Sequence, residues 1–141
     1  MMGLDIGKKK IGVAMSDILG MTSQPHSTVR SKNLDEQIEK IVSLIKENSI
    51  KDIAVGLPMT EKGEIGEQAM WTKSFVQRLQ EREPNVSIHY IDERHTSRMA
   101  LAQLSHLSMK KIKEKELIDA LAAANILEIF MMKRENTQKD D

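Results

Sequence analysis

Two short apolar runs open the chain, residues 2–6 and 10–16, and their spacing fits a pair of β-strands. Gly7 and three consecutive lysines, Lys8, Lys9 and Lys10, separate them as the turn of a hairpin. A third strand is expected from Thr22 to Val29. Pro25 makes it an edge or bent strand, because proline has no amide to give to a ladder. From Asn33 the period changes. Leu34, Ile38, Ile41, Val42 and Ile45 recur on one helical face, with Asn33 as N-cap and Glu36 as its capping-box partner. That helix ends near Asn48. "DIAVGLP", residues 52–58, reads as a buried strand stopped by Pro58. Residues 59–66 form a loop with Gly63 and Gly66. A helix follows from about Glu67 to Arg82, with Ala69, Phe75, Val76 and Leu79 inward. "VSIHYI", residues 86–91, is a further strand, and "DERHTS" leaves it to enter a helix near Thr96. Residues 105–115 are polar and basic and read as a loop. The last helix runs from about Lys115 to Lys133.

Three strands followed by alternating helices and strands imply an α/β fold, a mixed sheet covered by helices. No linker or repeat divides the chain. Its 141 residues make one domain, residues 1–135, with a charged, disordered tail at 136–141.

Composition narrows the function. Only 3% of residues are aromatic, too few for a stacking platform along single-stranded nucleic acid. Net charge is zero, so nucleic-acid binding would have to use local patches. With no cysteine, disulfides and thiolate zinc sites are excluded. No apolar run reaches the roughly 20 residues of a membrane span, and Asp5 interrupts any secretory signal. A soluble, cytoplasmic protein is expected.

Three acidic positions are locally expensive. Asp5 lies inside the first strand, pointing away from Leu4 and Ile6, and carboxylates are disfavoured in strands. Alone, it could equally cap a turn. Asp92 and Glu93 stand where "VSIHYI" ends, the place where open α/β sheets gather binding residues. An ordinary charged loop would look the same. Asp119 is the only charge before Glu128 in "LIDALAAANILEIF", a helix apolar on most sides. It suits the first turn of a helix dipole, and it equally calls for a cation. If the strands are neighbours and the last helix crosses their ends, these carboxylates converge. Such a cluster is stable around Mg²⁺ or Mn²⁺ and could serve phosphodiester cleavage.

Four stretches, "GLDIGKKKIGVAMSD", "VGLPMTEKGEIGEQA", "IDERHTS" and "DALAAANIL", resemble in order and spacing the YqgF/RuvX family of the ribonuclease H-like superfamily. The resemblance implies a five-stranded mixed sheet flanked by helices. It implies a metal-dependent nuclease, with 5′-end processing of the 16S ribosomal RNA precursor as its task and Holliday-junction resolution as the alternative. Carried over residue by residue, Asp5, Glu93 and Asp119 match the family's acidic positions, with Asp92 adjacent to Glu93. Alternation lets only one of that pair face the site, and Glu93 is favoured. The chain departs from the family at Lys8, where threonine is usual, and at Met99, where glutamate is usual.

Phosphate contacts are expected from Lys8, from Arg94 with its bidentate guanidinium, and from Gly63 and Gly66 ahead of a helix. Gly3 and Gly7 would leave room for a backbone phosphate beside Asp5. The expected partner is structured RNA, with branched DNA as the alternative, bound by a monomer or weak homodimer. A non-catalytic RNA-binding factor on the same fold is the competing class.

Overall fold

The computed structural model of the chain describes residues 1–58, 66–92 and 117–139. The elements are β1 (Met2–Ile6), β2 (Lys10–Ser16), β3 (Ser23–Arg30), α1 (Leu34–Glu47), β4 (Asp52–Leu57), α2 (Glu67–Arg82), β5 (Ser87–Asp92) and α3 (Leu117–Lys139). Gly63, Glu93, Arg94, Met99 and the expected helix near Thr96 lie outside the described residues.

The five strands form one mixed sheet in the order β3-β2-β1-β4-β5. β1 and β2 are an antiparallel hairpin, as their short lysine turn requires, while β4 and β5 run parallel to β1. β3 occupies one edge. Its pairing with β2 slips between Val13 and Ala14, which face Ser27 and Pro25, so His26 is the extra residue of a bulge beside the proline. The sheet accommodates Pro25 by placing it at an edge and bending there.

Alternation sorts the strand residues into two unlike faces. Met2, Leu4, Ile6, Ile11, Val13, Ile53 and Val55 point to one side and pack with the inner stripes of α1 and α2. That stripe on α1 is Ile38, Ile41, Val42 and Ile45, and on α2 it includes Phe75, Val76 and Leu79. Each such side chain contributes about 1.5–3 kcal/mol by leaving water, so this face holds most of the hydrophobic stabilisation. The other face is paved with small residues. Ala14, Ala54 and Ile91 lie beneath Ala123, Ala124, Leu127 and Phe130 of α3. Gly3 belongs to this face, and a β-carbon there would stand 2.5 Å from the Ala123 carbonyl oxygen and 2.8 Å from Leu127 Cβ. The missing side chains let α3 lie close against the sheet.

Helix ends follow local chemistry. The Asn33 side chain accepts from the amides of Asp35 and Glu36 at 2.9 and 3.2 Å, as an N-cap should. The reciprocal half of the expected capping box is relayed: the Asn33 amide donates to Ser31 Oγ, which in turn meets Glu36 Oε2 at 3.0 Å. At the other end of the chain, α3 runs to Lys139 and takes in residues 136–139, expected as a disordered tail. Asn136, Thr137, Gln138 and Lys139 are compatible with helix because they include neither glycine nor proline.

Candidate functional site

β1 carries Asp5 near its carboxyl end, two residues before Gly7 begins the hairpin turn. Its cross-strand partner on β2 is Gly12. The Asp119 backbone lies directly over Gly12: its carbonyl oxygen fills the space where a β-carbon would be. Asp5 and Asp119, at opposite ends of the sequence, are thus brought together across one glycine. Both open onto a cleft of about 470 Å³ whose wall also includes Lys8, Pro58 and Gln68. The cleft lies beyond the carboxyl ends of the parallel strands β1 and β4, where α/β sheets present their ligand sites.

Asp119 sits in the first turn of α3, half-buried, where the helix dipole favours a carboxylate. Structural and functional readings of this residue coincide. Its placement depends on the small-residue face, since Gly3, Gly12 and Ala14 let the helix approach. The same contacts overturn an expectation: the space above Gly3 is taken by α3 and that above Gly7 by the Lys10 carbonyl, which would stand 2.9 Å from a β-carbon. Neither glycine leaves room for a phosphate.

Asp92 is the last residue of β5 and pairs in register with Leu57. Ile91 faces α3, whereas Ile88 packs on the core shared with α1 and α2, and Lys73 of α2 lies over the Tyr90 ring. Alternation therefore turns Asp92 toward the α1–α2 side, away from the face that carries Asp5. Among the described residues no group of three or more histidine, cysteine or acidic side chains is arranged to hold a metal. Within them the candidate site residues that share the cleft are Asp5 and Asp119, both carboxylates and so hard oxygen donors of the kind divalent cations take.

The turn bearing the lysines is fixed. Gly7 N–H donates to the Lys10 carbonyl at 2.9 Å, and Ser31 N–H to the Lys9 carbonyl at 3.0 Å. Lys8, Lys9 and Lys10 are exposed at the cleft's rim. On the α2 side, Gly66 is the N-cap, without a side-chain bond, and Gln68 two residues on donates to the Ile6 carbonyl at 3.1 Å. Gln68 and Gln37 were not singled out in the sequence. Gln37 lies on the inward arc of α1 between Leu34 and Ile38, and a polar residue inside an apolar stripe is the signal that could have found it.

At the opposite edge of the sheet, α3 ends in a different cluster. His89 Nε2 and Asp52 Oδ1 are 3.0 Å apart, Arg134 reaches Asp52 Oδ2 at 3.5 Å, and the His89 ring stacks on Phe130 at 4.4 Å. This cluster anchors the far end of the helix whose first turn presents Asp119.

The sequence profile of the RuvX family, described as a Holliday junction resolvase, matches residues 1–133. The chain belongs to the RuvX family. A relative from Sulfurihydrogenibium sp. (strain YO3AOP1), provisionally named a pre-16S rRNA nuclease, is 46% identical over 132 residues, covering 92% of this chain and 88% of its own. One from Natranaerobius thermophilus with the same name is 37% identical over 135 residues, covering 96% and 95%. Among solved structures, T. thermophilus RuvC in complex with a Holliday junction substrate superposes with a TM-score of 0.62 at 16% identity, covering 96% of this chain and 95% of that one. The fowlpox virus resolvase bound to Holliday junction DNA gives 0.56 at 10% identity, covering 94% and 96%. The RuvX chain therefore has the ribonuclease H-like fold that its family resemblance implied, and the mixed sheet covered by helices that its strand and helix order predicted.

Proposed function

We propose that this RuvX protein is a metal-dependent endonuclease that hydrolyses phosphodiester bonds in structured RNA, acting in 5′-end processing of the 16S rRNA precursor. The observation that carries the reading is the shared cleft. Asp5 and Asp119 come from opposite ends of the sequence, open onto one hollow and face a rim of three lysines. Two converging carboxylates beside exposed cations suit a site that takes both a divalent metal and a polyanion. The names of the relatives from Sulfurihydrogenibium and Natranaerobius point to the same task.

In this reading Asp5, Asp119 and Glu93 hold Mg²⁺ or Mn²⁺. Glu93 is preferred to Asp92 because Asp92 ends β5 on the face opposite Asp5. A divalent ion in such a site supplies Lewis acidity toward the phosphodiester and neutralises the carboxylates. Lys8 and Arg94, with the backbone amides near Gly63 and Gly66, take the neighbouring phosphates.

The test incubates the purified protein with precursor rRNA, unstructured single-stranded RNA and a four-way DNA junction, in Mg²⁺ or Mn²⁺, beside Asp5→Asn. Cleavage of the precursor that vanishes in the variant is the expected result. Cleavage of the junction in preference to RNA would favour the resolvase reading suggested by the family's description. Binding without cleavage would favour a non-catalytic RNA-binding factor. Equal cleavage by wild type and Asp5→Asn would refute the proposed site.

A further inference from the structure

Lys8 does not hang free from a loose turn. Gln37, fully buried on α1, spends both amide protons on carbonyls: its Nε2 donates to Lys8 O at 3.0 Å and to Ser31 O at 2.8 Å. That clamp ties the β1–β2 turn to the entrance of α1. The Lys8 backbone is therefore set before any ligand arrives. From it the side chain extends so that its ammonium lies over the Trp71 ring of α2, 5.9 Å from the centroid. Trp71 is itself packed against the core beneath α1 and α2, so the ring is a fixed surface rather than a mobile one.

Indole is the best aromatic partner for a cation. An exposed lysine ordinarily loses much rotamer freedom when it settles on a phosphate, and that loss weakens binding. A clamped backbone and a ring beneath the ammonium remove part of it in advance. Lys8 is also among the residues that line the cleft shared by Asp5 and Asp119.

We propose that Trp71 is a positioning residue for Lys8: it holds the ammonium at the rim of the cleft to take one backbone phosphate of an RNA strand entering the carboxylate site. The inference rests on the nuclease reading of that cleft. Trp71 acts only through Lys8 and touches neither metal nor scissile bond.

The test is a double-mutant cycle on the full chain, read by fluorescence anisotropy with a labelled RNA stem-loop carrying a single-stranded 5′ extension, without divalent metal. Lys8→Met is expected to weaken binding and to flatten the slope of log K against log salt by about 0.7–0.9, the signature of one phosphate. Trp71→Leu is expected to weaken binding on the order of two- to fivefold in the wild-type background. In the Lys8→Met background it is expected to have no effect. Trp71→Phe, which keeps a ring and the packing, should lie between wild type and Trp71→Leu. The chain has one tryptophan, so its emission reports this ring alone. RNA should change that emission in wild type and not in Lys8→Met. Equal losses from Trp71→Leu in both backgrounds, or an unchanged salt slope in Lys8→Met, would overturn the pairing. If wild type binds the RNA and the cycle is additive, the pairing alone falls. If wild type binds no RNA, the reading of the cleft falls with it.

Discussion

Gly12 and Asp119 occupy one another's space: the carbonyl of Asp119 sits where a side chain at position 12 would begin. Gly12 is also the cross-strand partner of Asp5. One missing β-carbon therefore sets the approach of the two carboxylates. Gly12→Ala is expected to push the first turn of α3 off the sheet. Overpacking of this kind costs about 1–3 kcal/mol. Thermal unfolding should show a fall of several degrees, and the purified variant should lose most cleavage even where it remains folded. A Gly12→Ala protein with unchanged stability and activity would show that α3 can sit elsewhere without consequence.

In the proposed site Asp5 and Asp119 share a divalent ion, so each should be felt in how the protein responds to metal. Asp5→Asn and Asp119→Asn test that sharing by the metal dependence of stability. Wild type should gain stability as Mn²⁺ is added, by about 2.7 kcal/mol at a hundredfold excess over the dissociation constant. Each variant should lose most of that gain. Differential scanning calorimetry against Mn²⁺ concentration separates this outcome from one in which the carboxylates only support the fold.

The two contacts at the far end of α3 should contribute very unequally. Phe130 is 8% exposed and stacks on His89, so Phe130→Ala is expected to cost about 3–5 kcal/mol. Arg134 meets Asp52 at the surface, with about half of its side chain exposed. Arg134→Ala should cost no more than about 1 kcal/mol. Urea titration of the two variants measures the difference. A large loss at Arg134 would mean that the ion pair, and not the buried ring, holds the helix down.

The β2–β3 turn should report acid directly. The Asp17 carboxylate accepts from the amides of Met21 at 2.7 Å and Thr22 at 3.1 Å. The Thr22 amide first, and the Met21 amide next, hold its pKa below the usual carboxylate value. A depressed folded value means that the contribution is present above the ordinary carboxylate range and is lost as pH falls through the lower, folded value. Hydrogen exchange at Met21 and Thr22 is therefore expected to quicken in acid relative to the rest of the sheet. In Asp17→Ala the two amides should exchange fast at every pH. If they stay protected in that variant, the carboxylate is not what closes the turn.

The parts of the fold that were legible were those with a strong period. The stripe of α1, the inner side of α2 and the alternation in β1 and β2 all fall where the structure has them. β3 and β5 each begin and end one residue later than the pattern suggests, since a strand's limit is set by its neighbour's ladder as well as by its own sequence. Asp5 and Asp119, singled out because each is expensive where it stands, line one cleft, while Glu93, expected to join them, lies outside the described residues. Gly3 was visible and misread. A glycine in a strand signals close approach, but sequence does not say whether a ligand or the chain itself approaches, and here it is α3. Trp71 and Gln37 were not legible as site residues. Both sit on helices for structural reasons, and only the folded chain brings them against Lys8.

The packing of α3 on the glycine and alanine face also orders events in time. Asp5 belongs to the first strand made, and Asp119 to the last element of the described chain. Every contact that joins them spans nearly the whole sequence, and such long loops are the slowest to close. A ribosome making this protein can therefore release a sheet and two helices while the second carboxylate is still unmade. The cleft is completed only once α3 has been made and has docked on the sheet. The first carboxylate waits on the sheet until the helix that carries the second has docked.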